Sequence, residues 1–126
     1  MTAQILAFPK PRDASSQAPR HADELSFMER RQPRGSGIDY WKVSTTGQYG
    51  ADCDLGRALA GEYLRYVGDY PTYGNNALLA SIVLDMIEQA KAGEGQRGLI
   101  VGFMGEVNRY AMATARIIAR DAHNQQ

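Results

Sequence analysis

A single cysteine, Cys53, has the most nucleophilic side chain of this 126-residue sequence, and an aspartate lies on each side of it. The segment that follows has helical periodicity, so Cys53 falls near a helix N-terminus, where the helix dipole favours a thiolate. The negative charges of Asp52 and Asp54 act in the opposite direction. We therefore interpret Cys53 as a small buried hydrophobic residue rather than as a nucleophile.

The two histidines, His21 and His123, lie near opposite ends of the chain. Catalysis by a Ser–His or Cys–His pair requires an imidazole within hydrogen-bond reach of the nucleophile. The usual zinc sites require several histidine or cysteine ligands. The sequence therefore predicts a protein that is not an enzyme, with no catalytic residue, no metal site and no cofactor.

Six residues between two helical segments, Gly93-Glu94-Gly95-Gln96-Arg97-Gly98, match the pattern G-x-G-x-x-G. In dinucleotide-binding proteins this pattern follows a strand and delivers a phosphate to the next helix N-terminus. The segment before Gly93 is predicted to be a helix, so we interpret these glycines as an inter-helix loop. Anion binding at the start of the following helix, assisted by Arg97, is the alternative.

Two segments carry side chains suited to contacts with another protein. A tyrosine-rich turn follows the first predicted helix, and tyrosine is enriched at protein interfaces, although packing against the core is the alternative. Near the N-terminus, apolar residues precede a proline-rich basic stretch, a composition that suits docking into a groove; an inert tail is the alternative. The candidate partner-binding residues are Ile5, Leu6, Phe8, Pro9, Tyr70 and Tyr73.

The composition is that of an ordinary globular domain, with 44% hydrophobic and 22% charged residues. Lysine and arginine together number 14, as do aspartate and glutamate, so the formal net charge is zero and a strongly basic nucleic-acid binder is excluded. No apolar run reaches the roughly 18 residues of a membrane-spanning helix. The apolar stretch before Pro9 is too short for a signal peptide. We expect a cytoplasmic protein.

The chain divides into two parts at about residue 37. Residues 1–37 contain four of the five prolines, and their apolar residues show no sustained period of two or 3.6. We therefore predict a disordered N-terminal tail with a short linear motif, followed by one helical domain over residues 38–126. Trp41 is expected to pack over one end of that domain.

Three segments have apolar residues at helical spacing and predict helices over 51–67, 76–91 and 98–120. The resulting fold class is all-α, a three-helix bundle with a mobile N-terminal arm. Glycines inside the first and third helices each cost roughly 1 kcal/mol relative to alanine. We expect close approach of a neighbouring helix to compensate this cost at Gly56, Gly61, Gly98, Gly102 and Gly105.

Several short motifs occur in a characteristic order: Asp39-Tyr40-Trp41-Lys42, Thr45-Thr46-Gly47, Asp52-Cys53 and Gly56-Arg57. With the Phe8-Pro9 tail and the stretch to about residue 110, this order resembles short proteins of alphaproteobacteria and their mobile elements. The resemblance implies a bacterial or mobile-element origin. It implies no activity and no catalytic or binding residue, because none is established for that group.

The leading hypothesis is a small accessory or regulatory protein that acts by binding an unknown protein partner. The alternative is a nucleic-acid-binding regulator of the helix-turn-helix type, with Arg109, Arg116 and Arg120 on the third helix as its contacts. Residues 38–126 carry eight cations and ten anions, a net charge of −2, which favours the protein-binding hypothesis. A homodimer is a further possibility, through the glycines of the third helix.

Overall fold

Three helices make up most of the structure, a computed structural model that describes residues 19, 21–33, 35–93 and 95–125. They are α1 (Tyr49–Asp69), α2 (Leu78–Lys91) and α3 (Arg97–Asn124). The three predicted helices are confirmed, each end within four residues of its expected position. Two short 3₁₀ turns, Ala22–Glu24 and Tyr73–Ala77, precede the first strand and α2.

A small antiparallel sheet joins β1 (Glu29–Arg30) to β2 (Ile38–Asp39), with Glu29 opposite Asp39. The chain is therefore mostly helical rather than all-α. The two strands belong to an irregular segment, residues 21–33 and 35–46, that we call the N-terminal strap. The backbone N–H of Lys42 donates to the carbonyl of Phe27 over 2.8 Å, which holds the two halves of the strap together.

The strap supplies part of the hydrophobic core. Leu25 and Phe27 are each 1% exposed, and Trp41 is 3% exposed. The rings of Phe27 and Trp41 lie 5.8 Å and 5.3 Å from the ring of Phe103 in α3, measured between centroids. Trp41 thus lies inside the core rather than over one end of the domain.

The predicted disordered tail was expected to extend through residue 37, whereas the structure places part of that segment in the core. Residues 1–18 lie outside the described residues, but Leu25, Phe27 and Met28 are buried. These apolar side chains follow no helical or strand period because they belong to an irregular segment. Their burial comes from contacts with helices far along the chain, and local sequence does not encode such contacts.

The strap also connects α1 with α2. The backbone N–H and hydroxyl of Ser26 donate to the carboxylate of Glu62 in α1, over 3.1 Å and 2.6 Å. The backbone N–H of Tyr40 donates to Asp85 in α2 over 2.8 Å. Asp85 is therefore half-buried beneath the strap.

Helices α1 and α3 cross at glycines, where the absence of a side chain lets the two backbones approach closely. A Cβ atom at Gly102 would lie 2.1 Å from the carbonyl oxygen of Cys53, and one at Gly56 would lie 2.2 Å from that of Leu99. A Cβ atom at Gly98 would lie 2.8 Å from the carbonyl oxygen of Tyr49. The expected close approach is confirmed at these three glycines.

The same expectation is wrong at Gly61 and Gly105, where an added Cβ would meet nothing within 4 Å. The contacts pair residue 49 with 98 and residue 53 with 102, so α1 and α3 run in the same direction. Gly61 and Gly105 are both exposed, so their positions on the helices face away from this contact. The C-terminal part of α3, from residue 108 onward, is exposed at every residue and therefore lies beyond the close contact with α1.

Candidate protein-binding surface

The third helix extends well beyond the hydrophobic core. Its 28 residues correspond to a length of about 42 Å. Residues 98, 99, 102 and 103 are buried, whereas every residue from 108 to 125 is exposed. More than half of α3 therefore projects from the body of the protein, and we call residues 108–124 the projecting half.

An apolar stripe continues without interruption from the packed half of α3 into the projecting half. We call this stripe the α3 seam; its members recur at steps of three and four residues. In the packed half they are Ile100, Phe103, Met104 and Val107, and in the projecting half they are Tyr110, Ala111, Thr114, Ile117 and Ile118. The first group packs on the core, whereas Tyr110, Ile117 and Ile118 are 47%, 55% and 63% exposed. The same pattern that buries one half of the helix is thus presented to solvent on the other half.

Arg109 is held by its own helix. Its guanidinium donates to both carboxylate oxygens of Glu106, over 2.9 Å and 2.8 Å, and lies 5.2 Å from the ring centroid of Tyr110. The hydrogen bond from Arg109 lowers the pKa of Glu106 below its ordinary value. Arg116 and Arg120, the other two predicted nucleic-acid contacts, are exposed on the side of α3 away from the seam.

The two predicted tyrosine contacts differ in their surroundings. Tyr73 is 90% exposed in the 3₁₀ turn before α2. Tyr70 is half-buried, packs against the core and lies 5.2 Å from the ring centroid of Tyr66. Tyr73 is therefore available to a partner, whereas Tyr70 follows the packing alternative. Ile5, Leu6, Phe8 and Pro9 lie outside the described residues.

A buried carboxylate holds the start of α1. Asp52 is 3% exposed, and its two oxygens accept hydrogen bonds from the hydroxyl of Thr45 and from the backbone N–H of Thr46, the latter over 2.7 Å. The hydrogen bond from Thr45, followed by those from Thr46, lowers the pKa of Asp52. Two of the sequence motifs, the Thr-Thr-Gly and the Asp-Cys pair, are thus joined by hydrogen bonds just before and within the first turn of α1. Cys53 itself is partly exposed rather than buried.

Among the described residues of the glycine-rich loop before α3, Gln96 is polar, buried and has a structural role. Gln96 is 2% exposed. Its side-chain oxygen accepts a 2.8 Å hydrogen bond from the indole N–H of Trp41, and its amide nitrogen donates to the carbonyl of Val43 over 3.0 Å. Gln96 therefore ties this loop to the strap, which is consistent with an inter-helix connection. The sequence alone gave no signal for this role.

His21 and His123 are both exposed, and no group of three histidine, cysteine or acidic residues within the described ranges could hold a metal ion. In the same ranges, no helix has the length and apolar character needed to cross a membrane.

Comparison with known proteins finds no matching family model, no matching curated protein and no matching solved structure. The expected likeness to alphaproteobacterial and mobile-element proteins thus stays a prediction.

Proposed function

We propose that this protein is a small, non-enzymatic helical factor that acts by binding protein, with the projecting half of the α3 seam as its main contact surface. One observation carries the proposal: the stripe that packs α3 on the core continues onto Tyr110, Ile117 and Ile118, which are about half exposed or more. A surface helix normally turns such a stripe toward a covering element. A protein partner would supply that cover.

Helix energetics support the proposal. In proteins most helical stability comes from packing of an apolar face rather than from intrinsic propensity. The projecting half makes few such contacts, since each of its residues is exposed. Covering the exposed parts of Tyr110, Ile117 and Ile118 would contribute about 1 kcal/mol for each side chain. Burial of these side chains would therefore both hold the partner and stabilise the projecting half as a helix.

Other elements fit an accessory or regulatory role as additional contacts. Tyr73 presents an almost completely exposed aromatic ring at the turn before α2. The apolar residues Ile5, Leu6 and Phe8 would supply a second, linear contact. We propose a cytoplasmic location for this activity.

The helix-turn-helix alternative has less support. One of its three arginines, Arg109, already forms a bidentate ion pair with Glu106. The formal net charge of the whole chain is zero, so no general excess of positive charge attracts phosphate. Arg116 and Arg120 remain as exposed cations, and nucleic-acid binding is retained as an outcome of the experiment.

A capture experiment with matched variants tests the proposal. The full-length chain is the bait in nuclease-treated lysate of its source cells, beside the variants Ile117→Glu and Met112→Glu. Met112 is 60% exposed, much like Ile117, but lies on the opposite side of α3. We expect a specific protein partner that Ile117→Glu loses and Met112→Glu keeps.

Two results would contradict the proposal. Equal capture by both variants would show that the α3 seam is not the contact surface. Recovery of nucleic acid alone, once the nuclease is omitted, would replace the proposal with the helix-turn-helix alternative. In that case binding should weaken steeply with salt, and Arg116→Ala and Arg120→Ala should reduce it.

A further inference from the structure

We propose that residues 5–10 of this chain cover the projecting half of the α3 seam when no partner is bound, so that a partner must displace them. This inference rests on the proposed function, since it concerns the regulation of the surface that binds protein. Four features support this occupant: the place where the strap begins, the reach of the residues before it, the spacing of their apolar side chains, and their charge.

The strap begins close to the base of the projecting half. The ring of Phe27 lies 5.8 Å from the ring of Phe103 in α3. The backbone N–H of Leu25 donates to the carbonyl of Ala22 over 3.0 Å, which closes a turn, and Ala22 packs against the core. Residue 108, where the projecting half begins, is only about 8 Å along α3 from Phe103. The N-terminal segment therefore enters the structure beside the base of the exposed seam.

The residues before the strap can reach the far end of the seam. Lys10 lies twelve residues before Ala22, and an extended chain of that length spans up to about 40 Å. Asp121, near the end of α3, lies eighteen residues after Phe103, about 27 Å along the helix. Residues 5–10 can therefore lie along the projecting half while the strap stays in the core.

The apolar side chains of the segment match the spacing of the seam. Pro9 favours a polyproline II conformation around it, which has three residues per turn and a rise of about 3.1 Å. Ile5 and Phe8 would then lie on the same side, about 9 Å apart. Tyr110 and Ile117 are seven residues apart, about 10.5 Å along α3. A segment running in the same direction as α3 would place Ile5 on Tyr110 and Phe8 on Ile117.

The charges also match in this register. The three arginines of the projecting half lie away from the seam, whereas Asp121 is four residues after Ile117 and lies on the seam side. Within the projecting half, all of which is described, Asp121 is the one charged residue on that side. Residues 1–12 contain two cations and no acidic residue. With Phe8 on Ile117, Lys10 would lie about 6 Å further along, beside Asp121.

The contact is weak enough for a partner to displace. A short tether holds the segment at an effective concentration of about 1 mM, so a contact of about millimolar affinity would be occupied roughly half of the time. Such partial cover slows amide exchange by only about twofold, so the projecting half still exchanges quickly in the free chain. Displacement would release Ile5, Leu6 and Phe8 for the linear contact in the proposed function.

Disulfide trapping in the full-length chain tests the inference. Cys53 is replaced by serine, so that only the introduced thiols react. Phe8→Cys is then combined with Ile117→Cys or, as the matched control, with Met112→Cys, which is similarly exposed on the opposite side of α3. With oxidised glutathione as the oxidant, we expect the Ile117 pair to form an intrachain disulfide about fivefold faster than the Met112 pair, or more.

Two trapping results would overturn the inference. Equal rates for the two pairs would show that the segment does not lie on the seam. Disulfides that join two chains rather than residues of one chain would make a second copy the occupant. The thermal unfolding midpoint of each reduced variant, followed by Trp41 fluorescence, should equal that of the Cys53→Ser parent, because residues 112 and 117 are exposed.

The captured partner separates this inference from the proposed function. The partner should slow trapping of the Ile117 pair and leave the Met112 pair unchanged, and selective trapping that it does not slow would overturn the claim of displacement. If trapping is unselective but Ile117→Glu still loses the partner, this inference alone is wrong and the protein-binding function stands. If Ile117→Glu keeps the partner, the proposed function is wrong, and displacement at the seam is wrong with it.

Discussion

Substitution of Gly102 by alanine should destabilise the protein, even though alanine is the better helix former. The added methyl would lie 2.1 Å from the carbonyl oxygen of Cys53, whereas ordinary contact begins near 3.4 Å, so α1 and α3 must separate by about 1.3 Å. The atoms that the methyl would meet belong to the backbone of Cys53, so no flexible side chain can move aside. Overpacking of this kind costs about 1–3 kcal/mol or more, and the gain in helix propensity is about 1 kcal/mol. We expect a net loss of about 2 kcal/mol.

Gly105→Ala is the matched control, because an added Cβ there meets nothing within 4 Å on the same helix. It should stabilise the protein by about 0.5–1 kcal/mol. Urea denaturation followed by far-UV circular dichroism measures both free energies of unfolding. If Gly102→Ala is as stable as Gly105→Ala, the close crossing of α1 and α3 is wrong.

Truncations and three single substitutions test the fold further. A chain that begins at residue 38 should fail to give a cooperative unfolding transition, whereas one that begins at residue 19 should keep it. A cooperative transition in the chain from residue 38 would contradict the role of the strap in the core. In the full chain, Phe27→Ala should lower the free energy of unfolding by about 3–5 kcal/mol. Gln96→Leu leaves the indole N–H of Trp41 without its acceptor and should cost about 1–3 kcal/mol by the same denaturation assay, and a neutral effect would contradict the buried hydrogen bonds. The folded state lowers the pKa of Asp52, so the contribution of this carboxylate to stability is present above its ordinary pKa of 3.8 and is lost as the pH falls through the lower folded value. The free energy of unfolding, measured from pH about 5 to about 2, should therefore fall less in Asp52→Asn than in the native protein. An equal fall in the two proteins would contradict this role of Asp52.

The helices could be predicted because their signal is local. In α2, apolar residues from Leu78 to Ile87 repeat at helical spacing, and Gly93 ends the segment with a φ of 95°. The start of α2 has no side-chain cap: the helix begins after Ala77, and the side chain of the nearby Asn75 donates to the carbonyl of Tyr70. Cap identity depends on the path of the preceding turn, which the periodicity does not specify.

The strap could not be predicted, because its stability comes from contacts distant in sequence. Phe27 and Phe103 are neighbours in the core but lie 76 residues apart in the chain. Trp41 and Gln96, which are joined by a hydrogen bond, are also far apart in the chain. An irregular segment with scattered apolar residues resembles a disordered tail until the surface that covers it is known.

The candidate surface could be predicted in part. The sequence shows an apolar stripe of five helical turns along α3, but it does not show which turns are covered. Only the structure separates Phe103, which is buried, from Ile117, which is 55% exposed. The expectation of contacts at Tyr70 and Tyr73 rested on residue type alone, and the structure divides that pair into one packed ring and one exposed ring.

Hydrogen exchange of the projecting half of α3, followed by mass spectrometry with and without the captured protein partner, tests the central claim most directly. In the free chain, residues 108–124 should exchange quickly, because no packed face protects their helix. With the partner present, their exchange should slow markedly in the native chain and in Met112→Glu, but not in Ile117→Glu, while α1 exchanges slowly throughout. Exchange in residues 108–124 that the captured partner leaves unchanged in the native chain would contradict the account.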